Sequence, residues 1–390
     1  MRVFLNKKFR YFIFSSLLLL ISLFFSFALV LGVGEIYYYS THRINYKNEL
    51  QKPTIFSKST FLFDHMIGSA FDYHEYLPFR LIPGQYRIGF RKEKKITINS
   101  LGYRGKEFKQ EKGDQLRVLF IGDSCTYGYG VDNEYTIPRL VEKELCAEFP
   151  DIEVINAGFH GFTPQHYDLY LRMEGYALKP NVVIMVIYPG NDFEDFMYSI
   201  VEKTGKDGRP EIIDGLFYYD EGKNYYKTLP LFLYHIPVLD RSYLWYIMLK
   251  TLHEYRFRNL HPDSPTSVER RAFVEKPVND ILRDTAERNI ALQAWVVVGK
   301  NFIEKRKARA DPLSIRELAD HMLLLEILSK AGVSFVDFAD NLQMHNPKEI
   351  CSFGEHLDEI HINEKGNAIV AKVGSEKLRV LLRKNRSRIF

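Results

Sequence analysis

The chain has 390 residues, with 53 Lys plus Arg against 49 Asp plus Glu and 46% hydrophobic residues, a globular composition that excludes a disordered or collagenous chain. Arg2, Lys7, Lys8 and Arg10 carry the whole excess of +4, since no acid stands among the first ten residues, and residues 11–390 are neutral. A neutral body argues against nucleic acid as the main partner, and Cys125, Cys146 and Cys351 are too few and too scattered for a disulfide framework, a zinc site or a Cys-x-x-Cys redox centre.

Residues Tyr11 to Val33 run for 23 positions without a charge, and as a helix rising about 1.5 Å per residue they would span roughly 34 Å, the thickness of a bilayer core. A buried globular helix should show a polar stripe, and this run shows only serines. Gly32-Val33-Gly34 is a weak cleavage signal, so the run is expected to be an uncleaved signal anchor. The basic cluster before it puts residues 1–10 in the cytoplasm and residues 34–390 outside, as in a bacterial inner-membrane protein facing the periplasm or exterior.

Residues 34–114 lack a long period and read as a lead-in of loops and short strands, with one alternating run at Lys95 to Asn99 and a turn at Ser100 to Gly105. From residue 115 the texture changes. Short apolar runs at Val118–Ile121, Glu153–Ile155, Val182–Ile187, Leu292–Val298 and Val333–Phe338 alternate with helical patterns, which predicts an α/β unit with a mostly parallel sheet. The helical signals are Ile137, Leu140, Val141, Leu145 and Phe149 on one face after the cap Thr136, the pair Thr163-Pro164 at a helix start, and Ile315, Leu318, Met322 and Leu325 ahead of the stop Gly332. The stretch from 193 to about 274 interrupts the alternation; it holds a hairpin pattern, Leu216 to Tyr226, and reads as an insertion beside the site or as ordinary packing.

Four segments carry chemistry. The first strand runs into Gly122-Asp123-Ser124, which sets a serine at the carboxyl end of a parallel strand, where open α/β sheets place ligands. The second ends in Asn156-Ala157-Gly158-Phe159-His160-Gly161 and the third in Gly190-Asn191-Asp192, so both bring glycine N–H groups and a side-chain amide to that edge, the donors an oxyanion needs. Near the carboxyl end, Asp358 stands three residues before His361, a spacing that lets a carboxylate orient an imidazole able to take a serine proton. Glu355, Glu359 and His356 lie close by, and spacing alone does not choose among them. Cys125 beside the serine is expected to point away from it, Asp123 to support the turn, and His160 and His166 to be packing or rim residues. No set of side chains has metal-site spacing and no phosphate loop is present, so no cofactor is expected.

Together these segments resemble the SGNH superfamily of GDSL-type esterases and lipases, whose four hallmark residues occur in separate blocks in this order. The resemblance covers roughly Arg117 to Leu382. It implies a flavodoxin-like three-layer α/β/α sandwich with five parallel strands. It also implies Ser124 as nucleophile, His361 as base and then acid, Asp358 as its orienting carboxylate, and an oxyanion hole from the Ser124 and Gly161 N–H groups with the Asn191 amide. The expected function is a membrane-tethered serine esterase that removes acyl groups, acetyl above all, from a cell-envelope carbohydrate or lipid. An O-acyltransferase using the same acyl-enzyme, and a glycan-binding scaffold on a dead hydrolase fold, are the competing readings; the second is weakened because every implied catalytic position is filled.

Overall fold

The computed structural model describes residues 80–90, 92–190, 267–308, 312–353 and 360–384, with shorter stretches within 11–33, 71–77 and 192–227, at 248 and at 356–358. Two compact units divide the chain, residues 1–61 with 229–261 and residues 62–228 with 262–390. In the first unit the described positions of 11–33 are helical, with Phe25, Leu29 and Val30 exposed at 66%, 68% and 67%. Among the described residues no helix is long and apolar enough to cross a membrane.

In the second unit, after a short antiparallel pairing of Phe71–Asp72 with Arg80–Leu81, comes an antiparallel hairpin, β1 (Gly84–Phe90) on β2 (Lys92–Ile98), in which Ile96 and Ile98 are buried, as their alternation predicts. Five strands follow: β3 (Leu116–Gly122), β4 (Ile152–Gly158), β5 (Val182–Ile187), β6 (Ala291–Val296) and β7 (Phe335–Asp337). They form one sheet in the order β7-β6-β5-β3-β4, and every pairing is parallel. The chain therefore reverses its direction of winding between β3 and β5, and such a switch point is where open α/β sheets bind ligands.

Among the described helices are α1 (Ser124–Tyr127), α2 (Ile137–Leu145), α3 (Pro164–Met173), α4 (Ser267–Glu287), α5 (Lys300–Ala308), α6 (Pro312–Ala331) and α7 (Glu364–Lys384). α2 packs on α7, α3 on α4, and α6 on α4 and α5. Val118, Phe120, Ile184, Val186 and Trp295 bury one face of the sheet with Ile137, Val141 and Leu145 of α2 and Val370, Leu378 and Leu382 of α7. Leu119, Ile121, Val183, Met185 and Ile187 point the other way and are equally buried. Burial on both faces is why these strands read as unbroken apolar runs. Trp295 anchors the core, edge-on to Phe120 at 5.2 Å and to Phe338 at 5.4 Å, with its indole N–H on Gln293 Oε1 at 2.8 Å.

Three sequence expectations change. Thr136 sits at the start of α2, but its hydroxyl donates to the Asn133 carbonyl at 3.0 Å instead of capping the helix. α6 ends before Gly332, whose φ is +73°, yet Leu318 and Met322 are exposed, and the buried stripe is His321, Leu324, Ile327 and Leu328. α6 is apolar around much of its circumference, so the sequence leaves its facing open and packing on α4 and α5 decides it. α4 begins at Ser267, inside the expected insertion, whose hairpin pairs Phe217–Asp220 with Asn224–Lys227.

Candidate active site

β3 delivers Ser124 to the switch point, and the turn into α1 is held by Asp123, whose carboxylate accepts the Cys125 N–H at 2.9 Å. Asp123 is thus the cap that the turn was expected to need. Ser124 is the first residue of α1, so its own N–H has no acceptor within the helix and is directed off its start. A side chain on Gly158 would collide with the backbone of Thr126 and Tyr127, and glycine lets the end of β4 close on α1. Gly122 and Gly158 are register partners, and the Phe159 N–H continues the ladder onto the Gly122 carbonyl at 3.0 Å. Gly161, at φ +72°, therefore lies on the loop that leaves the sheet beside the serine.

His361 comes to Ser124 from just before α7. Its Nε2 lies 2.8 Å from Ser124 Oγ and its Nδ1 lies 3.1 Å from Asp358 Oδ1. Ser124 and His361 are both buried, at 3% and 8% exposure, so the pair is shielded from bulk water. Asp358 Oδ1 also accepts the N–H groups of Ile360 at 2.8 Å and His361 at 2.7 Å, while the Asp358 N–H is fixed on the Cys351 carbonyl at 2.9 Å. Burial alone would raise the Asp358 carboxyl; the hydrogen bond and charge of His361, with the two backbone N–H groups, outweigh it and hold the group down to about 2. Among the described residues, Asp358 is the carboxylate placed on the imidazole. Glu355, Glu359 and Asn191 lie outside the described residues, as does the side chain of His356.

The neighbouring groups have structural work. His166 is fully buried, and its Nδ1 accepts the Thr163 N–H at 2.9 Å, closing a capping box at the start of α3 behind Pro164. Asp192, 2% exposed, accepts the Tyr188 N–H at 2.9 Å and the Tyr167 hydroxyl at 3.3 Å, which pins the loop after β5. Burial, with Asp123, Asp192 and Asp358 nearby, pushes the Cys125 thiol well up and keeps it protonated, unlike a nucleophilic thiol. Among the described residues no group of three or more His, Cys, Asp or Glu could hold a metal ion.

Two residues at the site were missed from the sequence. The Tyr129 ring stacks on the His361 imidazole with centroids 4.1 Å apart and planes 27° from parallel, and Phe353 stands edge-on to Tyr129 at 6.2 Å. His160, expected to be a packing or rim residue, is half-buried, its ring 6.4 Å from that of His361.

No family model and no curated protein matches the chain. Among solved structures, the chain is similar to an acetyl xylan esterase (14% identity, 66% of this chain and 96% of that one, TM-score 0.40). It is similar also to a lipase/acylhydrolase from Enterococcus faecalis (13% identity, 67% and 94%, TM-score 0.38) and to a catalytic mutant of an acetylxylan esterase from Geobacillus stearothermophilus (17% identity, 70% and 94%, TM-score 0.37). At these TM-scores the likenesses add no weight to the geometry above.

Proposed function

We propose that this chain is a serine esterase of the SGNH type, held in a membrane by residues 11–33, that hydrolyses acyl esters, acetyl esters above all, of a cell-envelope carbohydrate or lipid outside the cytoplasm. One observation carries the reading: Ser124 Oγ, His361 Nε2, His361 Nδ1 and Asp358 Oδ1 lie in a continuous hydrogen-bonded line of 2.8 Å and 3.1 Å. A serine hydroxyl is a weak nucleophile unless a base takes its proton, and the imidazole is in place to do so. Ser124 Oγ attacks the ester carbonyl as its proton passes to Nε2. The Ser124 and Gly161 N–H groups, with the Asn191 amide, receive the developing oxyanion. The imidazolium then protonates the leaving alkoxide, and the acyl group rests on Ser124. Water gives a proton to His361 as it attacks that ester, and the acyl–Oγ bond then breaks, Ser124 Oγ taking the proton back from the imidazolium as the acid leaves. Asp358, charged throughout, stabilises the imidazolium and fixes which nitrogen faces the serine.

The membrane reading is supported by the uncharged run of 23 residues behind four basic ones and by helical, exposed apolar positions within it. The test is to incubate the full-length chain in detergent with 4-nitrophenyl acetate, with and without acetylated and unacetylated envelope glycans. Hydrolysis that disappears in Ser124→Ala supports the esterase. Acetate appearing on an added glycan instead of in solution would make the chain a transferase, and turnover retained by Ser124→Ala would refute the reading.

A further inference from the structure

We propose that Tyr129 is a positioning residue for His361, and that the lead-in segment, through Arg104, holds Tyr129 in place. The proposal rests on the reading of Ser124 and His361 as nucleophile and base.

The two hydrogen bonds of the imidazole act at Nδ1 and Nε2, on the ring edge, and place nothing against its face. A flat surface packed on that face resists turning of the ring about its Cβ–Cγ bond. Tyr129 supplies such a surface, stacked at 4.1 Å, 8% exposed, and backed edge-on by Phe353. Gly130 permits the close backing, since a side chain there would meet the Phe353 ring at 2.5 Å. The backbone of Tyr129 is tied to the nucleophile as well, its N–H donating to the Ser124 carbonyl at 3.0 Å. One residue thus references the base to the serine.

What holds Tyr129 comes from outside the α/β sheet. Arg104, 3% exposed, donates through Nη1 to the Gly128 carbonyl at 2.6 Å, through Nη2 to the Val131 carbonyl, and through Nε to Asn133 Oδ1 at 3.0 Å. Its guanidinium lies over the Tyr127 ring at 4.6 Å. β2 extends the brace: the Lys95 N–H donates to Asp132 Oδ1 at 2.5 Å, and the Asn133 amide donates to the Thr97 carbonyl at 3.1 Å. Residues 128–133 are therefore fastened along their length by side chains and backbone of residues 95–104. A planar five-donor fork that spans two carbonyls and an amide is a task lysine cannot perform.

The experiment compares Tyr129→Leu and Tyr129→Phe in the full-length chain with 4-nitrophenyl acetate, with Ser124→Ala as the control for the underlying reading. Tyr129→Leu should lower kcat by about 10- to 100-fold, the scale of a misplaced catalytic group, with KM changed less than about two-fold. Tyr129→Phe, which keeps the flat face, should restore kcat to within a few-fold. Arg104→Lys should lower kcat in the same way, by less. Should the leucine variant fail to fold, Tyr129→Met, which fills the space with a flexible apolar chain, carries the same expectation. A folded Leu or Met variant with the parent kcat would overturn the proposal while Ser124→Ala remained inactive; turnover by Ser124→Ala would instead sink the reading on which it rests.

Discussion

Ser124 and His361 are 237 residues apart in the chain, and the fold brings Oγ and Nε2 to 2.8 Å. Removing the imidazole leaves the hydroxyl without a base. His361→Ala is expected to lower kcat by about three orders of magnitude or more, and Asp358→Ala by less, because orientation is lost while the base remains. Glu355→Gln and Glu359→Gln should stay near the parent rate. Steady-state rates on an acetyl ester check this; a silent Asp358→Ala beside a crippled glutamate variant would assign the orienting role elsewhere.

The rate should fall toward acid pH, since a protonated imidazole can no longer accept the serine proton. Asp358, held down to about 2 by His361 and two backbone N–H groups against its burial, stays charged across that range, so one group should account for the limb. A kcat/KM profile flat from about pH 5 to about pH 8 would count against a histidine base.

Asp168 on α3 is 6% exposed, and its carboxyl is raised to about 6 by burial, which the nearby Asp280 and Asp284 reinforce and Arg172 at 3.0 Å only partly opposes; Oδ1 has no hydrogen-bond partner. An unfolded aspartate releases its proton near about 3.9, so the stability gained from the protonated native form is complete below that value and is lost as pH rises through about 6, a loss on the order of 3 kcal/mol. Asp168→Asn, which carries no proton to lose, should gain stability relative to the parent as pH goes from about 4 to about 7. Thermal unfolding at the two pH values checks it; a constant difference between the two proteins would contradict it.

A reporter fused after Phe390 that is active only when exported should be active, and the protein should stay with membranes after a high-salt wash, because apolar burial is not screened by ions. Reporter activity in the cytoplasm would reverse the orientation, and release of a shortened soluble form would make Gly32-Val33-Gly34 a cleavage site.

The five strands were legible because a sheet buried on both faces needs continuous apolar runs, and the juxtaposition of Ser124, His361 and Asp358 by hydrogen bonds could be anticipated because the proposed chemistry would restrict residue type at the end of β3 and ahead of α7. The facing of α6 was not, since the polar Asp320 and His321 are buried on it while the apolar Met322 is exposed. Tyr129 and Arg104 were illegible for a different reason. Stacking on an imidazole and bridging two carbonyls leave no local period, and only the fold brings residues 104, 129 and 361 together.

The most direct measurement is labelling of the full-length chain with a fluorophosphonate probe followed by mass mapping of the modified peptide. The expected result is a single adduct on Ser124, absent in Ser124→Ala and slowed in His361→Ala. An adduct on any other residue, or one that persists in Ser124→Ala, would contradict the assignment of Ser124 as the nucleophile.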